Sequence, residues 1–215
     1  MKYINHIKHS LMKSLGIYGY YQIRRSDYLK KTGWYRSVNQ GKCVDCEGNP
    51  IPWMTYPAIS FLEKRLNCNM DVFEYGSGAS TLWWAKRVKT VISCEHDFQW
   101  YTHVSENTPD NVSLFYLSLE PNGVYSKKVS QYPNQFDIIV IDGRDRINCA
   151  KNSISALKPN GVLIWDNSDR TEYQEGYDIL AKNGFKKLDF EGMCPLLLGF
   201  SETSIFYRTS NCLGI

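Results

Sequence analysis

No run of about eighteen consecutive apolar residues occurs in the 215-residue chain, so no ordinary membrane-spanning helix is encoded. The opening stretch, MKYINHIKHSLMKSLGIYGYY, also lacks the continuous apolar segment of a secretory signal. Cysteine comes to an odd seven, scattered through apolar runs as at Cys94, Cys149 and Cys194. Such a set implies no paired disulfide framework and points to a reducing, cytoplasmic compartment. Cys43 and Cys46 form a lone C-x-x-C with no second pair at zinc-site spacing. Internal repeats and low-complexity tracts are missing as well.

Acid is nearly missing from the first 42 residues, where nine Lys and Arg face Asp27 alone, a formal +8. The whole chain is +3, so residues 43–215 carry −5. A basic arm, residues 1–50, is thus joined to a mildly acidic body, residues 51–215. Ile4, Ile7, Leu11 and Leu15 recur at spacings of three and four, which predicts an amphipathic helix with lysines on its other face. That helix either packs on the body or meets an anionic membrane surface or polyanion, the second option being peripheral at the inner face of the membrane.

What is present in the body is a regular alternation. Strands are predicted at 71–75, 90–96, 112–119, 136–143 and 161–167, and helices at 57–66, 80–88, from 98, 147–157 and 171–185. KKLDF and SIFYR close the chain as an antiparallel pair. Alternation of this kind predicts an α/β fold, a doubly wound, mostly parallel, seven-stranded Rossmann-like sheet with a C-terminal hairpin. The apolar runs IIVI and VLIW suit strands covered on both faces. Ligands of such sheets bind beyond the carboxyl ends of the strands. The polar residues of interest stand at those ends: Glu74 to Gly78, Glu95, Asp142, and Asp166 with Asn167.

The glycine turn VFEYGSGASTLWW (72–84) has Thr81 where a dinucleotide fingerprint wants a third glycine, and it has no P-loop lysine. The arrangement E-x-G-x-G-x-S-T resembles the first motif of the class I S-adenosylmethionine-dependent methyltransferases. The resemblance covers about residues 57–210, and it implies S-adenosylmethionine as cofactor. Glu74, Gly76, Ser77, Gly78, Ser80 and Thr81 would then surround its methionine end, with Glu74 complementing the ammonium. Glu95 would take the ribose hydroxyls, and Asp142 would border the cofactor.

IDGRDR and LIWDN resemble the strand-end motifs of the catechol and caffeoyl-CoA O-methyltransferases. That likeness implies Asp142, Asp166 and Asn167 as ligands of Mg²⁺ or another divalent cation, which would acidify an acceptor hydroxyl. The lysine those enzymes carry three residues after the first aspartate is Asp145 here. Asp142, Asp145 and Asp166 are therefore the catalytic candidates, and a metal-free site with Asp142 or Asp145 as base is the alternative. Arg144 and Arg146 are candidates to grip an anionic acceptor. Trp53 and Tyr56, in GNPIPWMTYPAI, are candidates to line the acceptor pocket or to cover the cofactor. Small bacterial methyltransferases with a Trp-rich segment ahead of the glycine motif look similar, and some of these act on sugars.

The reading is an O-methyltransferase acting on a sugar, glycan or small molecule. The alternatives are an RNA ribose methyltransferase that uses the basic arm and a non-catalytic cofactor-binding module. N-P-P-Y and D-P-P-Y, usual in nucleic-acid amino methylation, do not occur, nor does the Pro-Cys pair of cytosine C5 enzymes. An aminopropyl transferase on this fold would want a run of acidic polyamine ligands that is not found.

Overall fold

A computed structural model describes the backbone of residues 2–215 and the side chains of residues 8–215. Its strands are β1 (Asp71–Tyr75), β2 (Thr90–Glu95), β3 (Val112–Tyr116), β4 (Phe136–Ile141), β5 (Leu157–Asp166), β6 (Lys186–Met193) and β7 (Phe200–Tyr207). They form one sheet in the order β3-β2-β1-β4-β5-β7-β6. The first five run parallel, and β7 lies antiparallel between β5 and β6. Strand order reverses between β1 and β4, which makes their carboxyl ends the switch point of the sheet.

Four helices form the arm: α1 (Lys2–Ser14), α2 (Tyr18–Arg25), α3 (Asp27–Lys31) and α4 (Trp34–Gln40). The body adds α5 (Tyr56–Glu63), α6 (Ala79–Ala85), α7 (Phe98–Ser105), α8 (Val124–Lys127), α9 (Arg146–Ser153) and α10 (Gln174–Lys182).

Side chains alternate between the faces of a strand, and the core divides accordingly. Val72, Val91, Ile138, Val140, Val162 and Ile164 pack with Trp83 and Trp84 of α6 on one face. Phe73, Tyr75, Ile139, Ile141, Leu163 and Trp165 pack with Tyr125, Cys149 and Leu180 on the other. Burying one large apolar side chain contributes about 1.5–3 kcal/mol, and both layers are built from such residues. That double covering explains the unbroken apolar runs of β4 and β5.

The arm has two halves with different roles. Neither α2 nor the described part of α1 buries a residue. Ile4 and Ile7 of the predicted apolar stripe lie outside the described side chains, and Leu11 and Leu15 are exposed. By contrast, Leu29 of α3, Trp34 of α4 and Cys43 belong to the same buried cluster as α5 and α6. Ser37 fastens this half: its Oγ donates to the Val44 carbonyl at 2.8 Å and accepts from Val44 N at 3.1 Å. Gly33, at φ +81°, lies so close to Asp45 that a Cβ would collide with its backbone.

Several predicted boundaries move. β3 ends at Tyr116 rather than 119, and the helix foreseen at 147–157 ends at Ser153. β5 starts early, at Leu157, because Leu157 pairs with Phe136 before the bulge that resets the register. The helix foreseen at 171–185 opens as a 3₁₀ turn, Thr171–Tyr173, and α10 stops at Lys182.

Candidate active site

Gly76 and Gly78 connect β1 to α6 at the switch point. Gly76 has φ +91°, and a Cβ there would come within 3.1 Å of the Gly143 backbone at the end of β4. The two strand-end turns therefore approach backbone to backbone, which only paired glycines allow. Trp100 of α7, about half exposed, lies over Gly78, and its Nε1 donates to the Ser77 carbonyl at 2.7 Å.

Glu74 shares the face of Val72, so its carboxyl points into the layer held by α6 and is fully buried. Thr81 Oγ1 donates to Glu74 Oε2 at 2.5 Å and accepts from Gly78 N at 2.9 Å, a relay that fixes the turn. Ser93 Oγ donates to the same oxygen at 3.0 Å, while Glu74 Oε1 has no hydrogen-bond partner among the described residues. Burial pushes the Glu74 carboxyl up to about 7, against the neighbouring hydroxyls of Ser80, Thr81 and Ser93. Ser80 is itself buried.

Glu95 is also buried, at the end of β2. Its Oε2 accepts from Ser77 N and Ser77 Oγ, both at 3.0 Å. Its Oε1 accepts from the amides of His96 and Asp97 at 2.8 and 2.9 Å. A carboxylate offers about four acceptor positions, and these four protein donors already fill those of Glu95. His96 Nδ1 stands 3.0 Å from Oε1 without hydrogen-bond alignment. Beside this acid the chain exposes aromatic rings: Phe98 and Tyr116 meet edge to face at 5.2 Å, with Tyr101 next to both. Sequence reasoning missed these rings. The signal available was the FQWY run directly after Glu95.

The ends of β4 and β5 are joined by Arg146, the first residue of α9, which is 8% exposed. Its Nε donates to the Gly143 carbonyl at 2.9 Å, and one terminal nitrogen donates to the Asp166 carbonyl. The other donates to the Asp142 carbonyl at 3.0 Å, Asp142 Oδ1 at 3.2 Å and Asn167 Oδ1 at 3.3 Å. Asp166 Oδ1 accepts from Thr203 Oγ1 at 2.6 Å, and Asn167 Nδ2 donates to Ser201 Oγ at 3.4 Å.

This geometry does not fit the predicted Mg²⁺ site. The guanidinium already occupies Asp142 Oδ1 and Asn167 Oδ1, Asp166 reaches it only through its carbonyl, and no cluster of three His, Cys, Asp or Glu able to hold a metal occurs among the described residues. Two of the other expectations also change. Asp145 accepts from Asn122 N and from Asn148 Nδ2, both at 2.8 Å, so its carboxylate braces the start of α9. Arg146 is committed to the strand ends, whereas Arg144 is exposed and has no ion-pair partner among the described residues.

Asp142 remains the accessible carboxylate, with about a quarter of its side chain exposed and one oxygen free of protein hydrogen bonds among the described residues. Burial and the neighbouring Asp166 hold its carboxyl well above the usual carboxylate range, against Arg146 and Arg170. Burial likewise lifts Asp166, to about 6.

Thr203 Oγ1 also accepts from Thr55 N at 3.1 Å, stitching the 48–59 stretch to the end of β5. On this side stand Trp53, half exposed, and the buried Cys194. Tyr56 is 5% exposed and meets Tyr28 of the arm edge to face at 6.3 Å.

The orphaned Glu74 Oε1, the unpartnered hydroxyl of buried Tyr125 beside Gly143, and the side-chain-free glycine turns all border the switch point.

No protein-family model and no curated protein sequence matches the chain. Solved structures match it in fold. A SAM-dependent O-methyltransferase from Thermotoga maritima superposes with a TM-score of 0.54 at 14% identity, over 74% of this chain and 67% of that one. An rRNA methylase from Streptococcus thermophilus also gives 0.54 at 14%, over 73% and 99%. Spermidine synthase from Thermotoga maritima gives 0.53 at 17%, over 75% and 59%. The chain spans less than two thirds of the length of the spermidine synthases it matches. The shared property is the class I methyltransferase fold, whose members here act on different acceptors.

Proposed function

We propose that the protein is an S-adenosylmethionine-dependent methyltransferase that acts on an acceptor hydroxyl of a sugar, glycan or small molecule. The observation that carries the reading is the convergence, at one switch point, of the glycine turn, Glu95 with its exposed aromatic rings, and the partly exposed Asp142. When bound, S-adenosylmethionine supplies an electrophilic methyl carbon. The backbone of residues 76–78 would hold its methionine end, and Phe98 and Tyr116 would offer faces for its adenine.

Asp142 would take up the proton that an acceptor hydroxyl gives up on methylation. Arg146 holds Asp142 in place and fixes the two strand ends, with no metal in the scheme. Trp53 and Cys194 border the acceptor side, and Arg144 and Arg170 offer it positive charge. Methyl transfer from radiolabelled S-adenosylmethionine to a panel of sugars, glycans and phenols tests this reading. Asp142→Asn should retain cofactor binding and lose transfer by about 10²–10⁴-fold, the usual contribution of a positioned base. Full transfer by Asp142→Asn removes Asp142 from the mechanism. Binding without turnover on any acceptor favours a cofactor-binding module, and transfer to RNA alone favours ribose methylation.

A further inference from the structure

Two surfaces carry exposed apolar side chains that this chemistry does not use. On the arm, Leu11, Leu15, Ile17 and Tyr20 are each between 46% and 63% exposed. On the loop between β6 and β7, Leu197 and Leu198 are 51% and 61% exposed, and Phe200, the first residue of β7, is 67% exposed. Adjacent residues of α4 join the two. Tyr35 donates its hydroxyl to the Ile23 carbonyl of α2, and Trp34 Nε1 donates to the Leu197 carbonyl at 2.9 Å. The patches are therefore neighbours at one edge of the molecule.

The arm's charge belongs to the same edge. Lys8 and Arg25 lie over the Tyr21 ring at 5.2 and 4.9 Å, and Lys13 over Tyr18 at 5.1 Å. Among the described residues no carboxylate pairs with these three or with Arg24. A groove of about 450 Å³ between α1 and α2 is walled by Met12, Ile17, Tyr20 and Tyr21, with Arg24 and Arg25 also lining it. Cations interleaved with aromatic and aliphatic side chains suit the headgroup boundary of an anionic bilayer. The loop argues for a bilayer over a nucleic acid, because Pro195–Phe200 carries no charge and offers nothing to a phosphate backbone.

We propose that α1–α2 and the β6–β7 loop form one docking surface for an anionic lipid bilayer. The loop leaves the body next to Cys194, on the acceptor side of the candidate site, so docking brings that side to the membrane interface. A lipid-anchored acceptor follows, and this last step rests on the proposed methyl transfer. The docking itself does not.

Vesicle flotation of the full chain tests the surface, with phosphatidylcholine vesicles compared with vesicles that also contain phosphatidylglycerol. The chain should float with the anionic vesicles and only weakly with the neutral ones. With each exposed cation near an anionic surface contributing on the order of 1 kcal/mol, reversing both in Arg24→Glu/Arg25→Glu should weaken binding at least about tenfold. The loop variant Leu198→Glu/Phe200→Glu should weaken it comparably, with circular dichroism of both variants unchanged. No flotation with anionic vesicles overturns the proposal, as does unchanged binding by the loop variant. Retention on single-stranded RNA without vesicle binding overturns it in favour of a polyanion. Calorimetry of S-adenosylmethionine on the same preparations reports on the methyltransferase reading separately.

Discussion

Replacing Arg146 by Ala tests how the reactive edge is held together. The guanidinium is 8% exposed and donates to the backbone of Asp142, Gly143 and Asp166 and to the side chains of Asp142 and Asn167. Its loss leaves those acceptors without a donor and lets two carboxylates face each other with no intervening charge. Removing one partner of a buried pair costs about 3–5 kcal/mol. At about 2–4 °C per kcal/mol for a chain of this size, the midpoint of thermal unfolding should fall by roughly 10 °C. Arg146→Lys should recover part of the loss, since a point charge replaces some but not all of the fork. The vacated space is lined with oxygens, so Mn²⁺ should restabilise Arg146→Ala and leave the wild type unchanged. Thermal melts with and without Mn²⁺ measure both effects. A loss below about 1 kcal/mol, the range of an exposed pair, would refute the structural role. Stabilisation of the wild type by Mn²⁺ that Asp142→Asn abolishes would restore the metal site.

Other tests bear on single groups. Glu74 is raised to about 7, so its contribution to stability is complete below the unfolded value near 4.5 and is lost as pH rises through 7. Urea unfolding should show that decline, about 3 kcal/mol across the window, and Glu74→Gln should flatten it; an equally steep slope in the variant would assign the decline elsewhere. Transfer activity needs Asp142 ionised, and its carboxyl and that of Asp166 are both raised. The acid limb of the rate profile should therefore lie above the ordinary carboxylate range, and a limb near 4 would exclude Asp142 as the base. Phe98→Ala should weaken S-adenosylmethionine binding about tenfold, within the range for loss of an aromatic contact. Unchanged affinity would place the adenine elsewhere.

The sheet was legible because its signals are redundant. Apolar runs bounded by turn residues mark β1, β2, β4 and β5, and the closing pair reads as antiparallel without knowledge of its position. The order β5-β7-β6 was not legible, since insertion of β7 depends on long-range pairing such as Asp166 with Thr203. Glu74 shows a signal that was available: it lies two residues after Val72, so strand parity already directs it into the α6 layer. The metal expectation rested on the likeness of IDGRDR and LIWDN to the strand-end motifs of the catechol and caffeoyl-CoA O-methyltransferases. Asp145 adopts a left-handed backbone at φ +50° as the cap of α9, and that turn sends its carboxylate to Asn122 and Arg146 into the strand ends. Such a turn leaves little trace in sequence. The arm was read as one piece, although Trp34 packs in the core and Tyr20 does not, a distinction set by contacts distant in the chain.

Isothermal titration of the purified chain with S-adenosylmethionine, beside Gly76→Val, tests the central claim most directly. A Cβ at residue 76 would press on Gly143 at positive φ, so the account predicts micromolar binding by the wild type and none by a folded variant. Absence of binding by the wild type would contradict the account, and equal binding by both proteins would remove the glycine turn from the cofactor site.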